Sequence, residues 1–599
     1  MRLLYLGQVL AFVALARAYH DVHSSSIDTN SPQITITQVN SSTRWFEGKP
    51  QVQIFDVVLN NTGKNTWLTS KDSLTVSIES ENLKTVQAAY VKRLQPGDSV
   101  IVQVGVQNEH GIKPGSSGPA TALAKWGSNS STSVDITATY GIPTYKASAT
   151  SVNQHESPDW FRDAKFGIFI HWGLYSIPAY GGVGKNENYA EWYWSSQMSP
   201  SDPTKTYQYH LEHYGPDFRY DDFMQNFTAD KFQPKDWVDL VADSGARYIV
   251  PVTKHHDGFA LFDMPETISE RNSVKQPPHR DFLREIFNAA ETYQPSLRRG
   301  TYFSMPEWFN PAFSNYTWLD SFGIGPPKNP YTNKTVPYTG FVEVNDFIPD
   351  IQYPQMNILA YEYKTDIMWC DITMPTSRLS PKFASEWLNT EYANNRQVTI
   401  NSRCGVIEGD FDTSAEYASS IPLSLRHFEA TRGMDPHSFG YNAATPDSAY
   451  LNASGIVSTL IDTVAKNGNL LLDIGPRGDG SIPEVMESNL RLVGRWLEGH
   501  GESIFGTKYW ANGPGEGDFR YTTTDDAFYV HVLGKPNVGD MVFTDFVPYL
   551  DGDEVTVVGG VMHGVVVESS VDRDGRLVLH LSEDVVKADR YAWTFKIEY

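Results

Sequence analysis

The sequence is poor in cysteine, with two among 599 residues, Cys370 and Cys404. That excludes a small disulfide-stapled scaffold and a thiolate zinc site, and leaves either one bridge or two buried thiols. Basic residues are also scarce: 48 Lys and Arg against 71 Asp and Glu give a formal charge of −23. A chain this acidic is a poor candidate for binding nucleic acid or an anionic membrane surface, both of which need basic patches. Beyond the N-terminal segment no apolar run approaches the roughly 18 residues that span a bilayer. There is no glycine-rich phosphate loop, and no pair of histidines has the i, i+4 spacing of a helical zinc site. His255-His256-Asp257 lacks a further ligand at such spacing, and His210 and His213 read as helix surface. Neither a metal nor another cofactor is expected.

What is present is ordinary globular composition, 40% hydrophobic and 20% charged, over a length that suits roughly two to four domains. The start is apolar through Ala16 and is followed by the small-x-small pattern Ala16-Arg17-Ala18, so residues 1–18 read as a secretory signal peptide. Asn-x-Ser/Thr sequons at Asn40, Asn60, Asn129, Asn226, Asn315, Asn333 and Asn452 are then candidate glycan sites. The expected protein is secreted and extracellular.

Three textures follow. Residues 19–150 carry short alternating runs such as Val52–Leu59 and Ser99–Val104, the period of a β-sandwich. Residues 151–500 alternate apolar runs with helix-like segments: Phe166–Ile170, Tyr248–Val252, Gly300–Phe303, Asp366–Trp369, Gln397–Ile400 and Asn469–Leu472. This predicts an α/β architecture, a (β/α)8-like barrel. Residues 501–599 return to β alternation, as in Ala527–Leu533, and predict a second β-sandwich.

In such a barrel the chemistry lies at the C-terminal ends of the strands. Here those ends carry His171-Trp172-Gly173, Lys254-His255-His256-Asp257, Tyr302 and Ser304, Trp369-Cys370-Asp371, Asn401-Ser402-Arg403 and Asp473. Imidazoles, aromatic rings, an arginine and carboxylates at one mouth can hydrogen-bond many hydroxyls and stack on an apolar ring face. Asp371 stands at the end of an apolar run, where a carboxylate is costly unless paired or functional. Glycoside hydrolysis needs two carboxyl groups, and retaining enzymes set them about 5–5.5 Å apart. Asp371 fits the nucleophile, kept ionised by a cation such as Arg403. Glu416, in a loop expected over residues 409–417, is the candidate acid/base, with Glu408, Asp410 and Asp412 as rivals.

Over residues 158–500 the chain resembles the glycoside hydrolase family 29 α-L-fucosidases. The resemblance rests on Trp160-Phe161, on Lys165 through Gly173, on Glu191-Trp192-Tyr193, on Lys254 through Phe259, on Trp369-Cys370-Asp371, on Ser438 through Tyr441 and on Leu470 through Pro476. It implies a retaining exo-α-L-fucosidase acting on fucosylated oligosaccharide or polysaccharide, with Asp371 as nucleophile and Glu416 as acid/base. His171, Glu191, Trp192, His255, His256, Tyr302, Trp369 and Arg403 match fucose-binding positions. Departures are Cys370 before the nucleophile, Ser402 in Asn401-Ser402-Arg403, Asp473 for an asparagine, and His427-Phe428-Glu429 for the Lys-Trp-Glu of animal members. The alternatives are a fucose-binding lectin-like protein without turnover, or a retaining glycosidase for a related sugar. The N-terminal sandwich either braces the barrel or binds carbohydrate.

Overall fold

The computed structural model describes residues 31–182, 188–316, 325–372, 378–405, 408–418 and 420–599; the expected signal peptide lies outside the described residues. At its centre is one sheet of eight parallel strands. They are β1 (Phe166–Ile170), β2 (Tyr248–Lys254), β3 (Arg298–Ser304), β4 (Ile367–Asp371), β5 (Thr399–Ile400), β6 (Asp412–Glu416), β7 (Phe428–Gly433) and β8 (Gly468–Ile474). Their order across the sheet, β5-β4-β3-β2-β1-β8-β7-β6, is the chain order curled round on itself. The two ends meet through a parallel bridge between Asn401 and Phe411. Asp410 reinforces that seam: its backbone N–H donates to Ile400 O at 2.9 Å and its Oδ2 accepts from Ile400 N at 3.0 Å.

Alternation along the strands sorts the side chains. Phe169, Tyr248, Val250, Tyr302, Trp369 and Leu471 belong to a core filling the lumen. Ile168, Ile249, Met368, Leu470 and Leu472 join the larger core beneath the helices. Tyr248 reaches the lumen because residue 167 is glycine: a Cβ there would stand 2.3 Å from its ring. The helix Phe282–Tyr293 shows why the outer layer forms. Asp281 caps it by accepting from Arg284 N at 3.0 Å, and Phe282, Leu283, Ile286, Phe287, Ala289 and Ala290 make one buried face.

Ahead of the barrel, strands between Ile34 and Tyr140 form two four-stranded antiparallel sheets around one apolar core. After it, a six-stranded and a three-stranded antiparallel sheet share another. This is the fold class expected from the sequence. No helix among the described residues is long and apolar enough to cross a membrane.

Two local expectations are corrected. Residues 409–417 are not a loop throughout, since Asp412–Glu416 is β6, in register with β7 at Ala415–Ala430 and Glu416–Thr431. Neither β6 nor β7 has an apolar run to betray it. Parallel neighbours satisfy their backbones, and polar side chains inside the barrel find partners there. His210 is not helix surface either. It lies on the helix Thr206–His213 but is buried, with Nδ1 accepting the Tyr193 hydroxyl at 2.9 Å and Nε2 donating to Phe218 O at 2.9 Å.

The N-terminal sheets are fastened to the barrel by Arg44, whose fully buried guanidinium meets Asp56, Glu156 and Asp159. Removing one partner of a buried charge network strands the others. Arg44→Met is therefore expected to lower unfolding free energy by about 3 kcal/mol in chemical denaturation. A loss under about 0.5 kcal/mol would assign the fastening to apolar contact instead.

Candidate active site

The mouth of the barrel is assembled from strand ends. Asp371 is the last residue of β4, paired across the sheet with Ser304 of β3. His171 follows β1, and His255 and His256 follow β2. Arg403 sits on the turn Ser402–Cys404 just after β5, and Glu416 ends β6. The turn Ala190–Trp192 adds Glu191 and Trp192 from the β1 side. Nine of the ten residues singled out above line one cavity of about 140 Å³: His171, Glu191, Trp192, His255, Tyr302, Trp369, Asp371, Arg403 and Glu416. The tenth, His256, holds its Nε2 3.6 Å from Asp371 Oδ2. The cavity is smaller than the roughly 300–1,000 Å³ of sites for drug-sized ligands and suits a single small ring.

Asp371 is the most strongly held group. Arg403 Nη1 donates to its Oδ1 at 2.7 Å, the Tyr302 hydroxyl donates to its Oδ2 at 2.8 Å, and Ile372 N donates to Oδ1 at 2.8 Å. Burial alone would raise its pKa, but the charge of Arg403, with the hydrogen bonds from Arg403 and Tyr302, opposes that, and the carboxyl is held at about 2. It is ionised across the working range. The other nitrogen of the same guanidinium, Nη2, donates to Glu416 Oε2 at 3.1 Å and to Thr413 O at 2.8 Å. The Tyr189 hydroxyl donates to Glu416 Oε1 at 3.0 Å. One arginine thus spans two carboxylates on the wall of one cavity. The rivals are elsewhere: Asp410 is bound into the barrel seam, with Oδ1 on His155 Nδ1 at 2.8 Å, and neither Glu408 nor Asp412 lines the cavity.

The histidines are kept neutral. Burial lowers His171 to about 3, His256 to about 4 and His255 well below its ordinary value. Ser304 Oγ donates to Pro306 O at 2.8 Å, so its oxygen accepts from His256 Nδ1–H at 2.6 Å. The network therefore puts the His256 proton on Nδ1 and leaves Nε2 facing Asp371 Oδ2 at 3.6 Å. His171 Nδ1 and Asp473 Oδ1 are 2.6 Å apart, and burial disfavours charge on both, so the pair shares one proton and presents His171 Nε2 to a ligand. Glu191 accepts from Gly440 N at 2.8 Å, and burial lifts it to about 7. Among the described residues no three His, Cys, Asp or Glu side chains gather so as to hold a metal ion.

Several contributors were not singled out from the sequence: Phe169, Tyr189, Ile372, Thr431 and Phe439 also line the cavity. Beneath it Glu429, on β7, accepts from Trp369 Nε1 at 2.7 Å and from the Tyr248 hydroxyl at 2.6 Å. It anchors the aromatic floor from inside the barrel. Cys370 and Cys404, left open above, form a disulfide.

A family model described as Alpha-L-fucosidase matches residues 133–502. Among curated relatives, the chain is 32% identical over 406 residues to an alpha-L-fucosidase of Dictyostelium discoideum, covering 66% of this chain and 82% of that one. It is 31% identical over 398 residues to the tissue alpha-L-fucosidase of Rattus norvegicus, covering 65% and 79%. Among solved structures, an alpha-fucosidase of Thermotoga maritima in complex with fucose aligns with a TM-score of 0.61 at 31% identity, covering 76% of this chain and all of that one.

The buried carboxyls carry a pH signature. Burial raises Glu429 from 4.5 to about 7 in the fold, so the unfolded chain releases this proton first. Its contribution is present below about pH 4.5 and is lost as pH rises through 7. Glu429→Gln is expected to flatten the fall of unfolding temperature over that interval, read by scanning fluorimetry. Parallel slopes for variant and wild type would show that Glu429 is already ionised in the fold.

Proposed function

The chain belongs to the α-L-fucosidase family, and from that premise we propose that it removes terminal α-L-fucose from glycans with retention of configuration. It is a glycoside hydrolase acting on α-L-fucosides. The observation that carries the retaining reading is the arginine shared between Asp371 and Glu416. Two carboxylates on adjacent forks of one guanidinium suit the close pairing of a double displacement better than the wider gap that must admit a water between them.

In this mechanism ionised Asp371 attacks the anomeric carbon while Glu416 protonates the departing glycosidic oxygen. The product of the first half is an ester between Asp371 and β-fucose. Glu416, now a carboxylate, takes a proton from water, which attacks the same carbon, expels Asp371 and restores the α configuration. Arg403 and Tyr302 hold Asp371 in place and spread its charge. His171, His255 and Glu191 offer donors and acceptors for ring hydroxyls, while Trp369, Phe169 and Phe439 supply apolar faces for the C6 methyl. The leader at residues 1–18 and exposed sequons such as Asn129, Asn226 and Asn333 support secretion. A fucosylated glycan is the partner; the charge of −23 gives no purchase for nucleic acid or an anionic membrane.

The test is hydrolysis of p-nitrophenyl α-L-fucoside with the first-formed anomer followed by NMR. Release of α-fucose before mutarotation is expected, and β-fucose first would overturn retention. Asp371→Ala should lower kcat by roughly three orders of magnitude or more with the fold intact. Glu416→Ala should cost about 10²–10⁴-fold on a fucosylated oligosaccharide and far less on the nitrophenyl fucoside, whose leaving group needs little protonation. Equal losses on both substrates would make Glu416 a structural residue.

A further inference from the structure

The two cysteines stand beside the two halves of the central ion pair. Cys370 immediately precedes Asp371 on β4, and Cys404 immediately follows Arg403 on the turn after β5. Their disulfide joins positions 34 residues apart in the chain. Both are fully buried and pack with the core between barrel and helices, behind the cavity. Pairing of β4 with β5 covers two registers, Ile367–Thr399 and Met368–Ile400. Above that level, where the chemistry sits, the Arg403–Asp371 ion pair is backed by two further links. One is the disulfide. The other is Asn401, whose Oδ1 accepts from Cys370 N at 3.0 Å and whose Nδ2 donates to Cys370 O at 2.9 Å. The cystine is the covalent one.

We infer that the Cys370–Cys404 disulfide is a positioning device for turnover: it holds the Arg403 turn against β4 so that the guanidinium stays on Asp371 and Glu416. Reduction by a dithiol would break the S–S bond, leave two thiols and close the dithiol into its own disulfide. The turn would then keep to β4 only through the hydrogen bonds of Asn401 and the Arg403–Asp371 pair itself. Misplacement by about 1 Å at a reacting centre can lower turnover by roughly 10²-fold. The groups around Asp371 are Arg403, His256, His171 and Tyr302, with Glu416 beyond the arginine. Arg403 is the strongest of those that depress its pKa. With the arginine displaced, Asp371 takes up a proton at higher pH, and the acid limb of kcat/KM moves upward with it. Full activity would thus belong to an oxidising compartment, in keeping with the secretion proposed above.

The inference rests on the reading of Asp371 as nucleophile, and the experiment separates the two. The full-length chain with Cys370→Ser and Cys404→Ser together is compared with wild type and Asp371→Ala on p-nitrophenyl α-L-fucoside across the acid range, with unfolding temperature and circular dichroism recorded. The expected double variant is folded, with kcat down by roughly 10²-fold, KM changed far less, and the acid limb shifted to higher pH. A bridge that only stabilises the fold would lower the unfolding temperature while leaving kcat and the acid limb in place, and that result overturns the inference. Activity surviving in Asp371→Ala would instead overturn the nucleophile. Should the double variant not fold, wild-type enzyme reduced with dithiothreitol under mild denaturant, its thiols counted and its native dichroism retained, gives the same comparison.

Discussion

The guanidinium of Arg403 lies between two carboxylates that must do opposite work. Asp371 has to stay ionised at a largely buried position, where burial by itself would raise its pKa. Glu416 has to hold a proton at one stage and give it up at another. One planar fork serves both, because each of its two terminal nitrogens reaches a different carboxylate. The rest of the mouth is arranged around that contact. Tyr302 takes the remaining oxygen of Asp371, Tyr189 takes the remaining oxygen of Glu416, and Trp369 lies under the guanidinium with its ring centroid 5.3 Å away. The charge is thereby confined to a small region whose other polar groups are neutral.

That neutrality follows from burial. Three neighbouring imidazoles would repel if charged, and buried as they are each is more stable uncharged. Neutral imidazoles are suited to reading hydroxyls, because a ring nitrogen can be assigned as donor or acceptor by what its other nitrogen binds. Ser304 makes that assignment for His256, and Asp473 shares a proton with His171. The floor is organised in the same way. Glu429 sits in the lumen and is reached by Tyr248 from β2 and Trp369 from β4, so a polar group in the core orients an aromatic surface above it.

Much of this was legible before the structure. Apolar runs ending in His171, His255, Tyr302 and Asp371 are local signals, since a buried parallel strand reads as an apolar run and the residue after it stands at the mouth. β6 and β7 were not legible, because Asp412–Glu416 and Phe428–Gly433 put acidic and hydroxyl side chains where the pattern demands apolar ones. Tyr189 and Thr431 were hidden for a related reason. Neither belongs to an apolar run; Tyr189 matters through Glu416, 227 residues away, and Thr431 only by lining the cavity.

The sequence by itself determined the class of fold, the set of polar residues at the strand ends, and the candidate nucleophile, because each is written within a few consecutive residues. Only the tertiary structure decided which of them touch. His171 meets Asp473 across 302 residues, Trp369 meets Glu429 across 60, and Arg403 falls between Asp371 and Glu416 because the barrel closes with β4, β5 and β6 side by side. Proximity of that kind is a property of strand order and register. The same closure made one cystine of Cys370 and Cys404 and set it directly behind the ion pair.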